Sequence, residues 1–205
     1  MKQVVHVVDD HAAIRRSLAL LLQAAGHEVV LHESGEALLK AAEEGLEPGC
    51  IILDVRMPGR DGVAVMELLG RRPLALPVII VTGHGDIPLA VRAMRAGARD
   101  FIEKPYPEER ILGAVEEALE AARAAVDEKA RAADAQARIA TLTPREGEVL
   151  AALVSGLSNK GTAAQLGISP RTVEVHRAHL MEKLGVRSLP EAVRMYLAAG
   201  VPQDS

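Results

Sequence analysis

Tryptophan is absent from this 205-residue chain, and Phe101, Tyr106 and Tyr196 are its whole complement of Phe and Tyr. The cores must therefore be built from Leu, Val, Ile and Ala, and each ring that does occur stands out. Cysteine occurs once, as Cys50, which excludes a disulfide within the chain and fits a reducing compartment. It stands just before Ile51-Ile52-Leu53 and is expected inside a strand. Long apolar runs are missing as well. The chain start is too polar and too interrupted for a signal peptide or a membrane span, so a cytoplasmic protein with no membrane partner is expected. A strong charge of either sign is missing too: the net is −4, with thirteen Lys and Arg against nineteen Asp and Glu in residues 1–122 and eleven against nine in 123–205. The second part is slightly basic, a hint of nucleic-acid binding well short of a strongly basic footprint. What is present is ordinary for a globular chain, 49% hydrophobic and 25% charged, and argues against disorder. The length suits two domains, each with its own core.

Up to about residue 120, short apolar runs alternate with longer amphipathic stretches, the pattern of βα units around a parallel sheet. Strands are expected over Gln3 to Val8, Glu28 to His32, Cys50 to Leu53, Val78 to Val81 and Arg99 to Ile102, with five helices between and after them. In the first helix Ile14, Leu18, Leu21, Leu22 and Ala25 recur at helical spacing, Arg15 and Arg16 face solvent, and Gly26 stops it. From about Glu116 to Ala140 the composition turns to Ala, Glu and Arg, which predicts a helical linker with a weak core stripe. Clear helix punctuation follows. Thr143-Pro144-Arg145-Glu146 is a capping box with proline at the first helical position, Ser188-Leu189-Pro190-Glu191 repeats the spacing, and Ser169-Pro170 opens a helix between them. Gly156, Gly167 and Gly185 fall where helices should end. Four short helices result, near Pro144 to Ser155, Asn159 to Leu166, Pro170 to Leu184 and Leu189 to Ala199.

On the expected strands, Asp9 and Asp10 end the first, Asp54 the third and Thr82 the fourth, while Lys104 follows the fifth. In a doubly wound sheet these ends share one edge, where ligands bind. An aspartate after a strand is by itself commonly a helix cap, and a lone lysine a surface group. Joint placement after four different strands points instead to a site. Three carboxylates together repel one another unless a hard cation binds them, and oxygen ligands in an open site suit Mg²⁺. With Lys104 to neutralise a phosphoryl oxygen and Thr82 to donate a hydroxyl, the set can hold a phosphoryl group on an Asp54 nucleophile.

Val7-Val8-Asp9-Asp10, Leu53-Asp54-Val55-Arg56-Met57-Pro58-Gly59-Arg60-Asp61-Gly62, Val81-Thr82-Gly83-His84-Gly85 and Asp100-Phe101-Ile102-Glu103-Lys104-Pro105 resemble a receiver domain of flavodoxin-like fold. The resemblance implies that Asp54 accepts a phosphoryl group from a sensor kinase histidine. It implies that Asp10, Asp54 and the backbone carbonyl of Arg56 hold Mg²⁺, with Asp9 acting through a metal-bound water. It implies further that Thr82 and Phe101 form a switch pair and that Lys104–Pro105 is cis. His11 departs from the pattern, standing where relatives often carry a third acidic residue; it is not expected to be a ligand. Arg56 and His84, two residues beyond Asp54 and Thr82, are expected to flank the phosphoryl group and set its rate of hydrolysis.

Asn159 to Leu184 reads as helix, tight turn, helix. On the second helix Val173, Leu180 and Leu184 share a core face, flanked by His176 and Arg177. Arg171, Glu174, Val175 and Ala178 are then available to a major groove, and Thr172, Arg177 and Lys183 to phosphates. Leu142-Thr143-Pro144-Arg145-Glu146, Gly156-Leu157-Ser158-Asn159-Lys160 and the run from Leu166 through Ser169 to Arg177 resemble a LuxR/NarL-type output domain, which adds Lys160 and Ser169 to the DNA contacts. Gly161 and Thr162 depart from it, where relatives prefer a helix former and an apolar residue. Over nearly its whole length the chain resembles a FixJ-type response regulator, with a receiver over 1–120, a helical linker over 121–140 and a four-helix DNA-binding domain over 141–205.

The resemblance implies that phosphorylated receivers pair through the fourth helix and fifth strand, that the homodimer binds promoter DNA, and that transcription, through RNA polymerase, is activated. No enzymatic turnover is expected. Two alternatives stay open: a Mg²⁺-dependent aspartate-nucleophile phosphohydrolase, which needs the same carboxylates, threonine and lysine, and a DNA-binding protein indifferent to phosphorylation.

Overall fold

The structure, a computed structural model, describes residues 3–70, 76–83 and 87–200, and within them the chain divides into two compact units that meet between Ala125 and Val126. The first unit is a five-stranded parallel sheet, β1 (Val4–Val8), β2 (Glu28–His32), β3 (Gly49–Asp54), β4 (Val78–Thr82) and β5 (Asp100–Glu103), in the order β2-β1-β3-β4-β5. Helices α1 (Ala12–Ala24), α2 (Gly35–Glu44), α3 (Gly62–Gly70), α4 (Ile87–Arg95) and α5 (Glu108–Ile139) follow the strands in turn. This doubly wound α/β fold followed by an all-helical unit is the expected fold class.

Both sheet faces are covered, so the central strands β1, β3 and β4 are buried at every position rather than at alternate ones. Val5, Val7, Ile52, Ile79 and Val81 face one core with Leu18 and Leu22 of α1 and Ile111, Val115 and Leu119 of α5. Val8, Ile51, Leu53 and Ile80 face the other with Leu38, Val63, Met66 and Ala93. Cys50 is buried in β3. In α1, Leu18 and Leu22 are buried as the periodicity predicts, whereas Ala25 is exposed. Arg15 is half-buried rather than solvated, because its Nη1 donates to the Asp9 carbonyl at 2.6 Å.

The second unit contains α6 (Pro144–Val154), α7 (Asn159–Leu166), α8 (Pro170–Leu184) and α9 (Leu189–Ala198), packed on Val149, Leu150, Leu153, Val173, Leu180, Leu184 and Tyr196. Thr143 forms the full capping box with Glu146, and Ser158 and Ser169 accept from the amides of Gly161 and Thr172. Gly167 and Gly185 end α7 and α8 in the left-handed conformation, φ 67° and 65°, that glycine alone enters without strain. Ser188 does not form the box that its spacing predicts. Its hydroxyl donates to Glu191 Oε1 at 3.0 Å, and the other carboxylate oxygen accepts from the Arg187 amide. The segment read as a helical linker is helical: α5 runs through it to Ile139, and residues 140–143 connect it to α6.

Candidate acidic pocket and nucleic-acid interface

The parallel register puts Val8 beside Leu53, Asp54 beside Val81 and Thr82 beside Glu103, so the residues at and just past these strand ends are neighbours in space. Asp54 is 7% exposed, Asp9 3% and Thr82 0%, while Asp10 and Lys104 are half-buried. The Lys104–Pro105 peptide is cis. Lys104 Nζ donates to Asp9 Oδ2 at 2.8 Å and reaches Asp54 Oδ1 at 3.5 Å. One ammonium thus joins the ends of β1, β3 and β5.

Burial raises the Asp54 carboxyl above its usual pKa; Lys104 opposes that shift, and Asp9 and Asp10 reinforce it. Desolvation pulls Lys104 down, but its hydrogen bond to Asp9 and the charges of Asp54 and Asp9 outweigh it, leaving the ammonium above its usual value. Asp54 is therefore a poorly hydrated carboxylate beside a firmly charged cation, which suits a nucleophile whose product carries extra negative charge. Asp9, Asp10 and His11 offer three potential ligand atoms within 4.8 Å of one another. His11 Nδ1 lies 2.9 Å from Asp10 Oδ1, and the His11 amide donates to Asp9 Oδ1 at 2.8 Å. His11, the departure from the receiver pattern that is not expected to be a ligand, thus stands against both acids. With Asp54 across the Lys104 bridge, the buried carboxylates present hard oxygen donors and mutual repulsion, a donor set that fits a small divalent cation.

Two residues to which the sequence assigns no role also border the site. Tyr106 lines a small cavity with Asp9, Asp54, Val81 and Lys104, and burial raises its phenol pKa. The scarcity of aromatics was its only signal. Gly62 begins α3 so close to the end of β3 that a Cβ there would lie 2.3 Å from the Asp54 carbonyl oxygen and 2.9 Å from Val55 Cα. Arg56 is exposed and lines a cleft with Met57, Asp61 and Arg92, while Phe101 is half-buried against the core shared by α3 and α4. His84 lies outside the described residues.

On α8, Val173, Leu180 and Leu184 are fully buried, which leaves Arg171, Glu174, Val175 and Ala178 exposed on the opposite side. Lys160 and Ser169 are exposed and Thr172 is half-buried; Ser169 Oγ accepts from the Thr172 amide and lies 2.8 Å from its hydroxyl. Arg177 makes a long contact, 3.4 Å, to Asn159 Oδ1. Lys183, expected at a phosphate, instead donates to Glu146 Oε2 at 2.6 Å, so its ammonium is occupied by the capping box of α6.

The response regulator receiver domain family matches residues 5–116, and the family of bacterial regulatory proteins of the luxR type matches residues 140–196. The transcriptional regulatory protein FixJ of Azorhizobium caulinodans is 51% identical over 205 residues, covering 98% of this chain and 95% of its own. FixJ of Rhizobium meliloti is 49% identical, covering 96% of each chain. Among solved structures, the response regulator StyR superposes with a TM-score of 0.80 at 38% identity over 96% of this chain and 99% of its own. Full-length FixJ from B. japonicum does so with 0.60 at 45% identity over 98% and 99%.

Proposed function

Because this chain belongs to the two-component response regulators, with a receiver domain and a LuxR-type helix-turn-helix that controls transcription, we propose that its activity is set by phosphorylation of Asp54 by a sensor histidine kinase. The observation that carries this reading is the Lys104 bridge: a buried Asp54 at a strand end, with an ammonium poised between it and Asp9. A carboxylate oxygen of Asp54 attacks the phosphorus of a phosphohistidine, the P–N bond breaks as the new P–O bond forms, and the imidazole departs. Lys104 is placed to pair with the added negative charge, and Thr82, at the end of β4, to donate its hydroxyl to it. Asp10, Asp54 and the Arg56 carbonyl would hold Mg²⁺, with Asp9 reaching it through water; when bound it neutralises the carboxylates and the transferred phosphoryl oxygens.

The receiver, linker and output domain occupy 1–120, 121–140 and 141–205 in this proposal. Phosphorylation turns Thr82 and Phe101 together, receivers pair into a homodimer, and α8 enters a major groove with Arg171, Glu174, Val175 and Ala178 at the bases. Lys160, Ser169, Thr172 and Arg177 meet the backbone, and Lys183 joins them only by leaving Glu146. The dimer acts on RNA polymerase in the cytoplasm and activates transcription. Arg56 and His84 tune the lifetime of the phosphoryl group.

The test is treatment of the full chain with a small phosphodonor and Mg²⁺, followed by mass analysis, sedimentation and DNA binding. We expect one label on Asp54, a doubling of mass and tighter DNA binding, all lost in Asp54→Asn. Catalytic turnover of the donor would instead favour a phosphohydrolase, and equal DNA binding by wild type and Asp54→Asn would favour a regulator indifferent to phosphate. Exchanging Arg56 and His84 for other residues should change the aspartyl-phosphate lifetime severalfold; an unchanged lifetime removes them from the account.

A further inference from the structure

The last turns of α5 belong to the second unit by contact. Ala135 is buried, and Ile139 packs against the cluster that holds Val173, Leu180 and Leu184 of α8. Two side chains from the same turns reach the carboxyl ends of two other helices. Arg138 Nη1 donates to the Leu184 carbonyl at 3.1 Å, and Gln136 Nε2 donates to the Ala199 carbonyl at 2.9 Å. Asp134 holds the Arg138 guanidinium from one turn earlier, Oδ2 to Nε 3.0 Å. Leu184 is the last residue of α8 and Ala199 the C-cap of α9, so both acceptors are carbonyls that a helix end leaves without an intrahelical partner. A cation at the end of α8 also meets the negative pole of its dipole. Gly185 adds a constraint, since a Cβ there would stand 3.2 Å from Arg138 Nη1.

We propose that Gln136 and Arg138 are positioning residues for DNA recognition: they fasten the end of α5 to the carboxyl ends of α9 and α8 and thereby set how α8 is seated in its own unit. The carboxyl-terminal turns of the 121–140 linker are then a support for the DNA-binding domain rather than a bare tether. The inference rests on the assignment of α8 as that helix.

A merely structural role would lower the folded fraction and weaken binding to every DNA alike. A positioning role weakens sequence-specific binding and spares the phosphate-driven, non-specific part. The full chain is used throughout, with one duplex selected by the wild type from a random-sequence pool and an unrelated duplex of equal length. Arg138→Met keeps the aliphatic stem and loses the donor, Gln136→Glu keeps the shape and loses the donor, and Arg138→Lys keeps a cationic donor. We expect the first two to reduce the preference for the selected duplex at least fivefold, with binding to the unrelated duplex within twofold of wild type, and Arg138→Lys to recover most of the preference. Equal loss on both duplexes, or no loss on either, overturns the proposal. Arg171→Ala serves as the control on α8. If it leaves the preference intact, the assignment of α8 fails; if it abolishes the preference while Arg138→Met and Gln136→Glu do not, only the present inference fails.

Discussion

Thr162 and Gly62 show at the scale of single residues how much a side chain, or its absence, contributes. Thr162 is fully buried in α7 and its hydroxyl has no hydrogen-bond partner among the described residues. An unpaired buried hydroxyl costs its desolvation without return, so Thr162→Val, nearly the same shape, should stabilise the second unit by about 1 kcal/mol in urea unfolding. An unchanged or lower midpoint would mean the hydroxyl is satisfied. Gly62 is the opposite case. A methyl group there must displace the backbone of Asp54 and Val55, an overpacking that costs about 2 kcal/mol, and Gly62→Ala should also slow labelling of Asp54. The Asp-x-x-Met-Pro-Gly-x-Asp-Gly run marked this glycine in the sequence, but its reason is a distance between atoms eight residues apart. The sequence marked Thr162 as a polar residue where an apolar one is preferred and Tyr106 as one of three aromatic rings, but neither the unpaired hydroxyl nor the approach of Tyr106 to Asp54 could be read from it.

Among the elements, the short helices of the second unit were legible to within a residue or so, because caps and stops are local: a serine or threonine before proline, a glycine after the last turn. Ser188 failed to form its box because a carboxylate three residues away has several donors to choose from, and Glu191 took the Arg187 amide and the Ser188 hydroxyl. The continuity of α5 follows from composition. Between Pro107 and Pro144 there is one glycine, Gly113, and no proline, so nothing stops the helix. Glu146 joins two elements, since its carboxylate caps α6 through the Thr143 amide and pairs with Lys183 near the end of α8. The Lys183 hydrogen bond, then that of Thr143, lowers its pKa from 4.5 to about 2. Its folded pKa is depressed, so its contribution is complete above 4.5 and is lost as pH falls toward about 2. Glu146→Gln should flatten the pH dependence of the second unit's stability in that window, read by amide exchange; an unaltered slope would put the titrating group elsewhere.

The molecule as a whole carries two acid sensitivities of different origin. In the receiver, His6 on β1 and His32 on β2 are buried with Nδ1 and Nε2 3.2 Å apart, and His6 Nε2 lies 3.0 Å from the Glu47 carbonyl. Burial, then the His6 charge, lowers His32 from 6.5 to about 4, and burial lowers His6 as well. Both are neutral in the fold, so the unfolded chain binds protons more readily and receiver stability falls as pH drops from about 6.5 toward about 4. Exchange measured along the chain should show the described residues of 3–125 losing protection in that window and residues 126–200 only below about pH 4.5. Simultaneous loss would mean that the histidine pair does not control the receiver. The sequence alone determined the order of elements, the two-part division of composition and charge, and the strand ends that carry Asp9, Asp54, Thr82 and Lys104, because hydrophobic period and turn chemistry act over a few residues. Only the tertiary structure decided which charges meet. Lys104 reaches Asp9 from 95 residues away, Lys183 reaches Glu146 from 37, and Arg138 reaches the Leu184 carbonyl from 46. A charged side chain takes whichever partner packing brings within about 3 Å, and packing is a property of the whole chain.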